Sequence, residues 1–189
     1  MRRSIVCAAL LSLSAAAAAE GLDYTYVQGS YSQVEFDDIG VDGDGFGIAG
    51  SYAIGDRFAV IAGFESGDLD FGVETTGYEI GGLFHAPLSD RVDLVTTLSY
   101  VSLEFDVPGF GSVDDDGFGV GVGLRGMASP KVELNGGISY VDFSDGGDDT
   151  TFGAGARYSF TDAVSVGLDG SWGDDASTYG ISGRIAFGN

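Results

Sequence analysis

The chain has 189 residues, 29 of them acidic against eight basic, with a formal net charge of −21. That balance excludes nucleic acid as an expected partner, and it would suggest disorder if the chain were not 44% hydrophobic and 12% aromatic. Beyond the N-terminal region no run of 18 apolar residues occurs, so any passage through a membrane must be made by strands.

The first nineteen residues, "MRRSIVCAALLSLSAAAAA", place two arginines before an apolar run and end in Ala17-Ala18-Ala19 ahead of Glu20. This is the pattern of a secretory signal peptide with an A-x-A cleavage site. The domain expected to fold is therefore 20–189. Cys7 has no apolar run before it, which argues against a lipid anchor. It leaves with the leader, so no disulfide is expected.

Five segments then repeat one design, in which polar residues precede an aromatic and small residues alternate with apolar ones. They are "DGDGFGIAG" at 42–50, "TTGYEIGG" at 75–82, "DDDGFGVGVG" at 114–123, "DDTTFGAGA" at 148–156 and "DDASTYGISG" at 174–183. In the last, Tyr179, Ile181, Gly183, Ile185 and Phe187 form one set and Thr178, Gly180, Ser182, Arg184 and Ala186 the other. A period of two puts such sets on opposite faces of a strand. Five partner strands lie between, at roughly 23–34, 57–65, 91–103, 131–141 and 163–172. In the first, Tyr24/Tyr26 and Val27/Tyr31 differ in parity, which a bulge would reconcile. Ten strands are expected, with eight as the alternative.

Connections around 54–56, 87–90, 129–130 and 161–162 are tight, whereas those around 35–44, 66–75, 104–116, 142–149 and 173–176 are mostly longer. An antiparallel meander with short turns at one end and longer loops at the other is the pattern of an up-and-down transmembrane barrel in the outer membrane. The longer loops carry most of the acid and no Lys or Arg, which predicts an acidic end outside the cell.

The small, polar set cannot fill a barrel as an apolar core, so the bulky set is expected outside. Its ends are aromatic: Phe46, Tyr78, Phe118, Phe152, Phe160, Trp172, Tyr179 and Phe187 are the expected membrane-interface residues. From Phe152 to Phe160, and from Tyr179 to Phe187, the spacing is eight residues. A tilted strand covers about 20 Å in that length, close to the apolar band of such barrels.

The leader, the first strand "GLDYTYVQGSYSQV", the acid-to-aromatic strand starts and the closing "YGISGRIAFGN" resemble small Gram-negative outer-membrane β-barrel proteins, the OmpA-like, OmpX-like and opacity-protein-like group. The resemblance implies lipid and lipopolysaccharide as surroundings and the barrel-assembly machinery as a partner during insertion. Such barrels usually end on an aromatic residue, whereas here Gly188 and Asn189 follow Phe187.

Asp42, Asp44, Asp114, Asp115 and Asp116 are candidate cation ligands, but no loop has the twelve-residue frame of a calcium hand, and a solvated acidic rim loosely gathering divalent ions is the plainer expectation. Arg125, Arg157 and Arg184 fall on the inward set, where Glu79, Asp93, Glu133 and Asp169 are placed to neutralise them. "GVGLRG" at 121–126 matches a dinucleotide fingerprint literally, yet a turn, not a helix, follows it. His85, the one histidine, falls beside the tight turn at 87–90, away from the acidic loops. Neither catalysis nor a cofactor is expected. The expected role is structural or surface-interaction: envelope integrity, adhesion or cation-rich contacts. A small passive pore with a charged lumen is the alternative, and a soluble secreted ligand-binding barrel the third reading.

Overall fold

The computed structural model describes residues 22–36, 40–145, 147–174 and 176–187. The leader assigned to 1–19, and Gly188 and Asn189, lie outside the described residues. Ten antiparallel strands close into a barrel in chain order: β1 Tyr26–Phe36, β2 Val41–Ile54, β3 Phe58–Leu69, β4 Val73–Ser89, β5 Val92–Val107, β6 Gly111–Ser129, β7 Val132–Phe143, β8 Gly147–Ser159, β9 Val164–Trp172 and β10 Ala176–Ala186. β1 completes the wall against β10, with Tyr26 opposite Ala186 and Phe36 opposite Ala176. Closure leaves no unpaired edge, which is the condition for strands to cross a bilayer.

The alternation sets the faces as the sequence predicts. Phe46, Ile48, Tyr52 and Ile54 point outward from β2, and Phe118, Val120, Val122 and Leu124 from β6, all exposed. A soluble barrel would hold these residues inside, so an apolar band around the whole wall contradicts that reading. Aromatic pairs mark both edges of the band: Tyr31–Phe46, Phe64–Tyr78, Tyr100–Phe118 and Trp172–Tyr179 at the outer edge, Phe58–Phe84 and Tyr158–Phe160 at the inner.

Two expectations are corrected. The connections predicted over 66–75 and 104–116 are mostly strand, and those over 35–44 and 142–149 are also shortened by strand, since β2 starts at Val41, β7 runs to Phe143 and β8 starts at Gly147. β3 and β4 stay paired to Leu69↔Val73 around a single 3₁₀ turn, Asp70–Gly72, and β5 and β6 stay paired to Val107↔Gly111. Acidity does not end a ladder in water, because its hydrogen bonds are made by the backbone. What ends it is turn geometry, with positive φ at Phe71, Gly72, Gly109 and Gly111. The second correction concerns the first strand. β1 runs without a bulge against both neighbours and starts at Tyr26. The parity difference arises because Tyr24 and Tyr26 are buried inside while Val27 faces out.

The lumen is not uniformly polar, either. Ala59 and Ile61 of β3, Leu83 of β4 and Val95 of β5 form an apolar cluster with Tyr24 and Tyr26. Val101 and Leu103 of β5 are also buried. These valines and leucines share sequence segments with outward apolar residues, so composition alone hides them.

Candidate functional site in the barrel lumen

The arginines expected inside are all there, each nearly fully buried. Arg125 of β6 donates from Nε and Nη2 to the two carboxylate oxygens of Glu133 on β7, a bidentate pair. Its Nη1 reaches across the lumen to the Asp23 carbonyl at 3.3 Å. Arg157 of β8 donates to Gln28 Oε1 at 2.8 Å and to Ser182 Oγ at 2.9 Å. Arg184 of β10 donates to that same Gln28 oxygen from Nε at 3.1 Å and Nη2 at 2.8 Å. Its guanidinium lies 3.8 Å from the centre of the Tyr26 ring, a cation–π contact. Ser182 in turn donates to Asp169 at 3.2 Å. A single uncharged amide thus anchors two guanidinium groups, and Asp169 is linked to Arg157 through a hydroxyl.

Of the four acids expected to neutralise these arginines, Glu133 alone pairs directly with one of them among the described residues. Asp93 is the register partner of Arg125 but lies 3.6 Å from His85 Nδ1. Glu79 sits on the β4 wall with Ser99 of β5 beside it. Strand alternation fixed their inward direction; which partner each meets depends on the order of strands around the ring.

His85 occupies the inner end, as expected, but it points into the barrel. Its ring stacks on Tyr24 at 3.8 Å with 15° between planes, and it is 1% exposed. The stretch from Leu22 to Thr25 makes this possible by turning beneath the wall: Thr25 Oγ1 accepts from the Ala53 N–H at 3.2 Å, and its carbonyl from the Phe187 N–H at 2.8 Å. Tyr24, Tyr26, Gln28 and His85 join the apolar cluster of Ile61, Leu83 and Val95 among the lumen residues that sequence reasoning missed. The parity of the two tyrosines was the available signal.

Every strand contributes at least one buried inward side chain to this inner half, from Gln28 of β1 and Ser51 of β2 around to Arg157, Ser165 and Arg184. Glycines make the space. A Cβ on Gly167 would lie 2.8 Å from both Arg157 Nη2 and Ser182 Oγ, so the guanidinium occupies the volume that a side chain would take. Farther out the inward positions are small: Thr97, Ser99, Gly119, Gly121, Gly123, Gly137, Ser139 and Gly153. They surround a cavity of about 180 Å³ above Arg125.

The candidate cation ligands are not brought together. Asp42 and Asp44 lie on β2, and Asp114, Asp115 and Asp116 on β6, four places away around the ring. Asp115 Oδ1 accepts from the backbone N–H groups of Asp116 at 2.9 Å and Asp145 at 3.1 Å, bracing the neighbouring hairpin. Among the described residues no three acidic, histidine or cysteine side chains gather to hold a metal ion. The eight interface aromatics all point outward and are exposed.

A closed ten-stranded wall with an apolar, aromatic-edged exterior and a charged interior defines an integral β-barrel membrane protein. Residues 5–160 match the outer membrane protein beta-barrel domain, and the chain belongs to that family; its place is the outer membrane. No curated protein sequence matches it. Among solved structures it is similar to the translocator domain of the autotransporter NalP from Neisseria meningitidis, with 12% identity, 86% of this chain and 88% of that one covered, and a TM-score of 0.49. The Neisserial surface protein A is similar at 16% identity, 86% and 96% coverage and a TM-score of 0.44. The KdgM porin is similar at 10% identity, 86% and 99% coverage and a TM-score of 0.47.

Proposed function

We propose that this protein is a plugged outer-membrane barrel with a structural and surface-interaction role, exported by the leader at 1–19. The observation that carries this reading is the filled inner half of the lumen. Side chains from all ten strands and the Leu22–Thr25 stretch are packed there, and an arginine-centred network ties β1, β6, β7, β8 and β10 together. Such a network stabilises a wall and obstructs a channel.

The outer end supplies the interaction surface. β3–β4 and β5–β6 extend past the aromatic edge and present Phe71 and Phe110, 85% and 92% exposed, at their tips among acidic residues. Held beside anionic lipopolysaccharide, this rim gathers divalent cations loosely and offers aromatic contacts to a surface partner. Outer-membrane lipid surrounds the apolar band, and the assembly machinery engages the chain during insertion. The test is swelling of liposomes carrying the purified barrel in small sugars. Rates equal to those of empty liposomes support the plugged barrel; rates that rise as the sugar gets smaller favour the passive pore.

A further inference from the structure

We infer that the outer half of the lumen is a binding cup for a short aliphatic diamine, an inference that goes beyond the plugged reading and does not depend on it. Three carboxylates line the cavity above the Arg125 guanidinium: Asp169 of β9, which already accepts from Ser182, and Glu79 of β4 and Asp149 of β8, which face it from nearly opposite walls, four places apart in a ring of ten strands. Glu79 and Asp149 are both nine-tenths buried, at 8% and 7% exposure; Ser99 serves Glu79 and Thr151 donates to Asp149 Oδ2 at 3.0 Å, which leaves Glu79 Oε2 and Asp149 Oδ1 with no hydrogen-bond partner among the described residues. Ser171, 5% exposed beside the same cavity, likewise has an unpartnered Oγ. Buried carboxylate oxygens left without donors are costly, so the site calls for a ligand that brings donors and positive charge.

The layout decides what kind of cation. A metal ion needs its oxygens to converge within about 2.6 Å of one point, and carboxylates on facing walls do not converge. One ammonium group cannot meet both walls. Two ammonium groups joined by methylenes can, each donating to one carboxylate and to nearby hydroxyls such as Ser99 and Ser171. Val95, Val101 and Val141 line the space between and suit the methylenes. The volume agrees, since six-heavy-atom benzene occupies an engineered cavity of about 150 Å³, and 1,4-diaminobutane also has six heavy atoms. The acidic rim raises the local concentration of such cations.

Barrel purified in detergent from outer membranes of cells expressing the full chain is titrated calorimetrically with 1,4-diaminobutane at low salt, with butylamine and magnesium as comparisons. Saturable one-to-one binding is expected, at least tenfold tighter than butylamine and weakened at least tenfold by Glu79→Gln and by Asp149→Asn separately. Heat-dependent gel mobility confirms that each variant is folded. Thr97→Lys, which tethers an ammonium group in the cavity, is expected to abolish binding. Absence of saturable binding, retention of affinity in either acid variant, or displacement of the diamine by equimolar magnesium overturns the proposal.

Discussion

The two halves of the lumen follow the same alternation of small and large residues, yet one is filled and the other is hollow. At the inner end the inward positions carry long side chains, Tyr26, Gln28, Ile61, Leu83, Arg125, Arg157 and Arg184, which meet across the axis. At the outer end they carry Gly, Ser, Thr and Val with isolated carboxylates, which stay near their own walls. Inward orientation is therefore a backbone property, whereas occlusion depends on side-chain reach. A barrel of this size is plugged wherever a few long residues occur at one level.

If the inner half is held by its polar network, breaking the charge pair has the largest effect. Arg125→Met strands Glu133 in a buried site and is expected to lower stability by about 3–5 kcal/mol, measured as a shift in urea unfolding from lipid vesicles. The apolar side of the same half comes next. Leu83→Ala opens a cavity beside Ile61 and Val95 and is expected to cost about 2–5 kcal/mol, whereas Thr97→Ala in the hollow half should change the same unfolding midpoint by roughly a tenth of that. The two faces of one strand offer a third contrast. Val122→Arg on the lipid side of β6 is expected to cost about 2–4 kcal/mol near the midplane, in the same assay.

The smallest effect is at the inner mouth. Burial lifts the Asp23 carboxyl above the ordinary aspartate range, while Arg125, the Thr25 backbone N–H and Arg184 pull it back. The folded barrel then binds this proton more readily than the unfolded chain, so ionised Asp23 lowers stability at neutral pH. That loss fades as pH falls through the raised value toward the ordinary one of about 3.9. Asp23→Asn should be slightly more stable than the parent at pH 7 and equal to it near pH 4. An Asn variant less stable at pH 7 would reverse the sign.

Much of this was legible in the sequence, for a physical reason. Strand faces depend on a period of two, which Phe118, Val120, Val122 and Leu124 display directly, and the aromatic edges depend on where that alternation starts. The arginines declared themselves by falling on the small-residue face. Pairing across the axis has no such signature: nothing local to Gln28 says that it will accept from both Arg157 and Arg184, 129 and 156 residues away. Nor does the neighbourhood of His85 announce Tyr24. The extended outer hairpins were hidden because their acidic composition resembles that of loops, although backbone pairing is indifferent to it.

The most direct test of the plugged barrel is single-channel recording in planar lipid bilayers, comparing the parent with a Tyr24→Ala/Tyr26→Ala variant. The account expects a silent parent and discrete conductance steps once the two rings are removed. Stable ohmic steps from the parent, unchanged in the variant, would contradict it.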